Sequence, residues 1–250
     1  MFKGFRTIVA DDIKFINSDE ASLYMKKNLD SIRDGMFNFF YDNYGKILDG
    51  SLMSDKLFPL GDYDIFLSHS GIDIDIVNKL AYAFSKSGIK PFVDSHAWGY
   101  YDDLLTNLDN TFNVVGNKNN IITYSYEGVK RTASHVHMIL STALNKMIDK
   151  CEFFLFVETK NSVITLQDQK KTLSPWIMSE LETSKIIRRH SKYEHDIIIE
   201  DAQIKTWLEY IRIAYTIPTD HLIYINWDDL LSYLYFSKHT KKLLYETLPR

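Results

Sequence analysis

Beyond residue 60 the sequence predicts an α/β fold on a mainly parallel sheet. Short apolar runs, Tyr63 to Ser68, Ile89 to Asp94 and Phe153 to Glu158, alternate with stretches of helical period, the pattern of consecutive βα units. Fifteen glycines and prolines together are sparse in 250 residues, whereas 4 Trp, 16 Tyr and 15 Phe are plentiful, which favours long elements around an aromatic interior. With 45% apolar and 25% charged residues, the chain has enough apolar mass to bury a sizeable core.

The elements follow in order. Met25, Leu29, Ile32, Met36, Phe40, Tyr44 and Ile47 recur at spacings of three and four, so 18–48 reads as a long amphipathic helix. Gly35 and Gly45 weaken it and Gly50 ends it. The turn-forming Phe58-Pro59-Leu60-Gly61-Asp62 sets a boundary near residue 60. Residues 1–60 are therefore expected to form a helical extension, and 61–250 the α/β domain.

In that domain Tyr63 to Ser68 reads as a buried strand, and Asp73 is the expected cap of a helix that buries Val77, Leu80, Ala81 and Phe84. Ser87-Gly88 stops that helix, and Pro91 inside the next strand places it at a sheet edge. Residues 95–132, Asn-rich from Asn107 to Asn120, read as a long insertion with some local structure. A helix over about 134–149 leads into Phe153 to Glu158, and a polar loop runs to Thr172. Ser174-Pro175 then opens a helix to about His190, with Ser as cap and Pro at the first helical position. Ile211 to Ile217 and Leu222 to Ile225 read as strands, with Ile197 to Ile199 competing for the fourth place, and Asp228 to Glu246 as a closing helix.

Composition narrows the function classes. The net charge of -4 argues against nucleic-acid and anionic-membrane partners. A single cysteine, Cys151, rules out an intrachain disulfide and any multi-cysteine metal site, and fits a reducing, cytoplasmic setting. Charges interrupt the first twelve residues before a signal-peptide core forms. The apolar clusters are shorter than the roughly 20 residues of a membrane helix.

Ligands of an open parallel sheet bind beyond the carboxyl ends of its strands. The residues at those positions are Ser68-His69-Ser70-Gly71, Asp94 to Gly99 with Trp98 among them, and Glu158 to Ser162. Trp176 and Glu180, four apart on the following helix, place an aromatic wall beside an anion near the same rim. The start of a helix favours the ionised carboxylate. The competing reading is a core tryptophan and a solvated glutamate. His135 and His137, two apart on a helix, face different ways, which argues against a metal site and for a hydrogen-bonding role of one of them. Ser68 and His69 are adjacent at a strand end and point apart, and no Gly-x-Ser-x-Gly elbow is present, so no hydrolase triad is expected. Cys151 reads as a small buried hydrophobe.

Tyr-Asp-Ile-Phe-Leu-Ser-His-Ser-Gly-Ile-Asp at 63–73, Gly-Ile-Lys-Pro-Phe-Val-Asp at 88–94, a helix leading into Phe153 to Val157, and Ser-Pro-Trp-Ile-Met-Ser-Glu-Leu-Glu at 174–182 occur in this order. Together they resemble the Toll/interleukin receptor (TIR) domain of bacterial proteins over roughly 63–190. Trp98-Gly99-Tyr100-Tyr101-Asp102-Asp103 and Ser134-His135-Val136-His137 resemble the subgroup of Thoeris-type antiphage defence. The resemblance implies a flavodoxin-like five-stranded parallel sheet and, in enzymatic members, cleavage of the nicotinamide–ribose bond of NAD, which is substrate rather than cofactor. It implies a cyclised or modified ADP-ribose as second messenger, a phage-derived activator, a downstream effector and self-association. The family's catalytic glutamate falls on Glu180, its aromatic neighbour on Trp176, and its nucleotide-framing loops on Ser68, His69, Ser70, Asp94 and Trp98. Gly71-Ile72 stands where many relatives carry a charged residue, which leaves the phosphate-binding residues unassigned. The alternative in another class is a non-catalytic TIR scaffold that signals by homotypic assembly.

Overall fold

The computed structural model describes residues 3–24, 26, 50, 53–54, 61–118, 121–166, 168–187, 214–236 and 240–247, with 96–100 described by backbone alone. The elements run β1 (Lys3–Ile8), β2 (Ile65–Ser68), α1 (Ile74–Lys86), β3 (Pro91–Val93), α2 (Ser95–Phe112), β4 (Val114–Lys118), β5 (Ile121–Tyr124), α3 (Tyr126–Lys150), β6 (Phe153–Glu158), β7 (Ile164–Leu166), β8 (Gln169–Thr172), α4 (Pro175–Ile186), β9 (Tyr215–Thr216), β10 (Ile223–Tyr224), α5 (Trp227–Phe236) and α6 (Thr240–Glu246). Two compact units emerge. One comprises Met1–Lys26, Gly61–Val93 and Met147–Arg250, the other Lys27–Leu60 and Asp94–Lys146.

The first unit is built on a five-stranded parallel sheet of order β10-β1-β6-β2-β3, an α/β arrangement consistent with a flavodoxin-like fold. β6, Phe-Phe-Leu-Phe-Val-Glu, is buried at all six positions. A central parallel strand has both faces covered, and so reads as a continuous apolar run. Pro91 lies in β3 at the sheet edge, where its missing N–H costs no ladder bond. α1 ends at Ser87. Gly88, at φ +77°, lets the Ile89 amide reach back to the Phe84 carbonyl at 3.0 Å.

Register divides the sheet into two faces. Phe5, Ile65, Leu67, Phe153, Leu155 and Val157 pack with Leu80 and Phe84 of α1 and with Trp227 and Leu230 of α5 in one apolar core. On the other face Phe66 stacks on Phe154, ring centres 5.7 Å apart and planes 9° apart. Toward the strands' carboxyl ends the same face turns polar. Arg6 and Ser68 are both in register with Phe156, one on each side of it. Side chains at aligned positions of parallel strands share a face, so Arg6, Phe156 and Ser68 stand in a row.

The expected boundary at residue 60 requires correction. Residues 3–8 are not part of a helical extension. They form β1, between β6 and β10 and one strand in from the β10 edge of the sheet. Phe5 and Thr7 are fully buried, and Gly4 and Arg6 account for the weak apolar pattern of the strand. The helix expected over 18–48 is present at 18–24 and at 26; its remainder lies outside the described residues, as does Ile197 to Ile199. Of the strand expected at Ile211 to Ile217, Tyr215–Thr216 joins β8 in a separate antiparallel sheet, β7-β8-β9. The closing helix is present as α5 and α6.

In the second unit the expected insertion of 95–132 is largely regular structure. α2 covers 18 residues and buries Leu104 and Leu108, four apart. An antiparallel hairpin, β4 with β5, follows it. α3 begins at Tyr126, several residues before the expected start near 134. The hairpin is exposed along both strands, and without a buried face it shows no alternation in the sequence.

Candidate functional site

α4 begins as the sequence predicts. Ser174 accepts a hydrogen bond from the Ile177 amide at 3.3 Å, with Pro175 in the first helical position. Ile177, Glu180, Leu181 and Ser184 are buried, and their spacing of three and four defines the inward side of the helix. Glu180 thus sits on the buried side of the helix, at 0% exposure. A buried carboxyl needs a hydrogen-bond partner. Ser68, the last residue of β2 and itself fully buried, supplies one: its hydroxyl donates to Glu180 Oε2 at 2.6 Å.

This arrangement inverts the competing reading, because the glutamate is buried and Trp176 is half-buried. It also corrects the electrostatic expectation. Glu180 lies in the second turn of α4, whose first turn holds no acidic residue, and helix-end charge effects fade beyond that first turn. A specific hydroxyl, rather than the helix end, meets the carboxyl.

His69 is 4% exposed, and its Nδ1 lies 3.1 Å from the Leu67 carbonyl. A carbonyl oxygen only accepts, so Nδ1 is the donor in that contact. Ser70 is buried and precedes a single 3-10 turn, Gly71–Asp73, whose Asp73 amide donates to the Ser70 carbonyl at 2.8 Å. Ser68, His69 and Ser70 are therefore gathered at the carboxyl end of β2, with Glu180 bonded to the first of them. Asp94 and Trp98 belong to the second unit. Asp94 is buried and immediately precedes α2, and Trp98 lies within α2, its side chain outside the described residues.

Asp73 does not cap α1 as expected. Its side chain makes no capping bond. Instead its carboxylate accepts from Thr159 Oγ1 and Asn161 Nδ2, both at 2.6 Å, tying the turn after β2 to the loop after β6. Arg6, Glu158 and Lys170 form a further group that no sequence motif marks. Glu158, 3% exposed at the end of β6, accepts from Lys170 Nζ at 2.8 Å and lies 3.5 Å from Arg6 Nη1. An arginine within an apolar segment is the available sequence signal, and assigning residues 1–60 to an extension hid it.

Other expectations have definite positions. His135 and His137 are both exposed; the Tyr101 hydroxyl lies 3.0 Å from the His137 ring, whose Nδ1 is 2.7 Å from the Ala133 carbonyl. Among the described residues, no three of His, Cys, Asp and Glu are grouped as metal ligands, and no helix is long and apolar enough to cross a membrane. Burial pushes the Cys151 thiol up to about 12. A cavity of about 530 Å³ is lined by Asp12, Ser18, Asp75 and Lys79, among others, and by none of the predicted site residues. Compared with known proteins, the chain matches no family model, no curated protein and no solved structure.

Proposed function

We propose that the chain is a TIR-type NAD glycohydrolase or cyclase, with Glu180 as its catalytic carboxylate. The observation that carries this reading is the burial of Glu180 on α4 against Ser68 at the carboxyl end of β2, the rim where open parallel sheets take their ligands.

The chemistry asks little of the protein beyond a placed anion. The nicotinamide ring of NAD is cationic while attached and departs as a neutral molecule with the bonding electron pair, so its departure needs no acid; the positive charge passes to the ribose ring, as in glycoside cleavage. A carboxylate hydrogen-bonded to the ribose hydroxyls stabilises that charge. The Ser68 hydroxyl holds the carboxylate in place until the sugar arrives. Trp176 offers a flat face for a ring of the dinucleotide. Cyclisation follows if an adenine nitrogen or a ribose hydroxyl lies against the reactive carbon; otherwise water completes the reaction. A cyclic or modified ADP-ribose released in this way is the proposed second messenger of antiphage signalling.

The test is incubation of the purified chain with NAD, in the presence and absence of extract from phage-infected cells, with free nicotinamide followed by chromatography. Wild type is expected to release nicotinamide and Glu180→Gln to lose about 100-fold or more of that rate. Equal rates in the two proteins would remove Glu180 from the mechanism. No release under either condition would favour the scaffold.

A further inference from the structure

We propose that Arg6 and Lys170 form an anion site that takes the diphosphate of the dinucleotide, with Glu158 holding the two cations ready when it is absent; the identity of the ligand rests on the NAD reading above. Arg6 is an unusual residue for its position. It stands in a central strand, its side chain 6% exposed, beside Phe156 and with its guanidinium 5.8 Å from the ring centre of Tyr224. A guanidinium carries five N–H donors in a planar fork. Among the described residues, the hydrogen bonding of this one is a single long contact, 3.5 Å from Nη1 to Glu158 Oε2, and its buried Nε has no hydrogen-bond partner.

Buried donors left unsatisfied are costly, and native proteins rarely tolerate them without a reason. The geometry supplies one. Arg6 lies in the same row as Ser68, across Phe156, on the sheet face that meets Glu180. Neighbouring strands are about 4.8 Å apart, so the Arg6 and Ser68 backbones stand roughly 10 Å apart, a span within the reach of a nucleotide. Lys170, 20% exposed on β8, connects this group to solvent. Two cations share one carboxylate, leaving a net positive charge, and the short Lys170 contact at 2.8 Å contrasts with the long Arg6 contact. A diphosphate would present pairs of oxygen acceptors that the guanidinium fork of Arg6 meets two at a time.

Binding of inorganic pyrophosphate and of ADP-ribose, measured by calorimetry at low salt, tests the site without any turnover. Lys170→Gln changes a partly exposed side chain and is expected to weaken both ligands about 10- to 100-fold, the loss of one charge-assisted hydrogen bond. Glu158→Gln removes the competing carboxylate and is expected to tighten them, whereas a purely structural Glu158 would give no gain. Arg6→Lys keeps the charge without the fork and is expected to bind between wild type and Lys170→Gln. Equal dissociation constants in wild type, Lys170→Gln and Glu158→Gln, or no binding of either ligand to wild type, would overturn the proposal. Pyrophosphate binding lost in Lys170→Gln, with no NAD cleavage by wild type, would keep the anion site and remove the glycosidic reading. NAD cleavage with an unchanged KM in Lys170→Gln would do the reverse.

Discussion

Ser68 and Glu180, 112 positions apart in sequence, meet through a hydroxyl-to-carboxyl hydrogen bond of 2.6 Å with both side chains fully buried. The bond joins the end of β2 to the second turn of α4, so it fixes the carboxyl relative to the sheet rim rather than merely satisfying it. Ser68→Ala is expected to leave a buried oxygen without this donor and to lower stability by about 1–3 kcal/mol. It should also lower the rate of NAD cleavage while retaining the fold. Chemical denaturation and nicotinamide release, measured on the same preparation, check the two effects; a stability change within 0.5 kcal/mol, the range of an ordinary surface substitution, would show that the bond does not hold the carboxyl.

Placement of β1 makes residues 3–8 part of the main core. A chain beginning at residue 61, the boundary suggested by the turn at Phe58 to Asp62, is expected not to fold, because β6 and β10 lose the strand between them. Phe5→Ala in the full chain should cost about 3–5 kcal/mol, the usual penalty for emptying a buried aromatic site. Thermal melts and far-UV circular dichroism of the two proteins decide the point, and a cooperative melt of the shortened chain would refute it.

The Asp73 carboxylate restrains the loop after β6 through Thr159 and Asn161. Asp73→Ala is expected to destabilise the chain by about 1–3 kcal/mol and to increase proteolytic cutting near residues 159–162. Asp73→Asn retains one acceptor and should fall between wild type and alanine. Limited proteolysis followed by mass mapping gives the readout, and an unchanged cutting pattern in Asp73→Ala would remove the restraint.

Burial raises the Cys151 thiol to about 12. It is therefore protonated at neutral pH and should resist iodoacetamide until the chain unfolds. The unfolded chain, with a thiol near its ordinary value, loses this proton first as pH rises. Stability from this group is therefore complete below the ordinary thiol range and is lost as pH climbs toward about 12. Tyr63, also raised chiefly by burial, acts in the same direction. Cys151→Ala should flatten part of the alkaline decline and leave the part that comes from Tyr63 and the other raised groups, Tyr101, Tyr245 and Lys241 among them; denaturant melts of the two proteins between pH 8 and 11 measure the difference.

Legibility in the sequence followed burial pattern. β6 and α1 were readable because a fully covered strand and a one-sided helix leave strong apolar periods, as Phe153 to Val157 and Val77, Leu80, Ala81 and Phe84 do. The α4 start was readable from local chemistry, since Ser174 and Pro175 need no tertiary partner. β1 was missed because Gly4, Arg6 and Thr7 dilute its pattern and its pairing partners lie far along the chain. The hairpin of β4 and β5 left no signature, having no buried face. At the candidate site the residue types after β2 and on α4 were visible, but the Ser68 bond to Glu180, the diversion of Asp73 and the grouping of Arg6 with Lys170 arise only when distant segments come together.

The position of β1 also bears on how the protein is made. Lys3 pairs with Phe153, 150 positions later, and Phe5 with Ile223. At translation rates of about 5–20 residues per second, the first strand waits roughly 8–30 s for β6 and longer for β10. During that interval a strand that will become part of the sheet interior leaves the ribosome with its ladder groups open, a state prone to wrong pairing. Chaperone dependence during synthesis, and lower soluble yield when translation is slowed ahead of β6, are the outcomes expected of this topology.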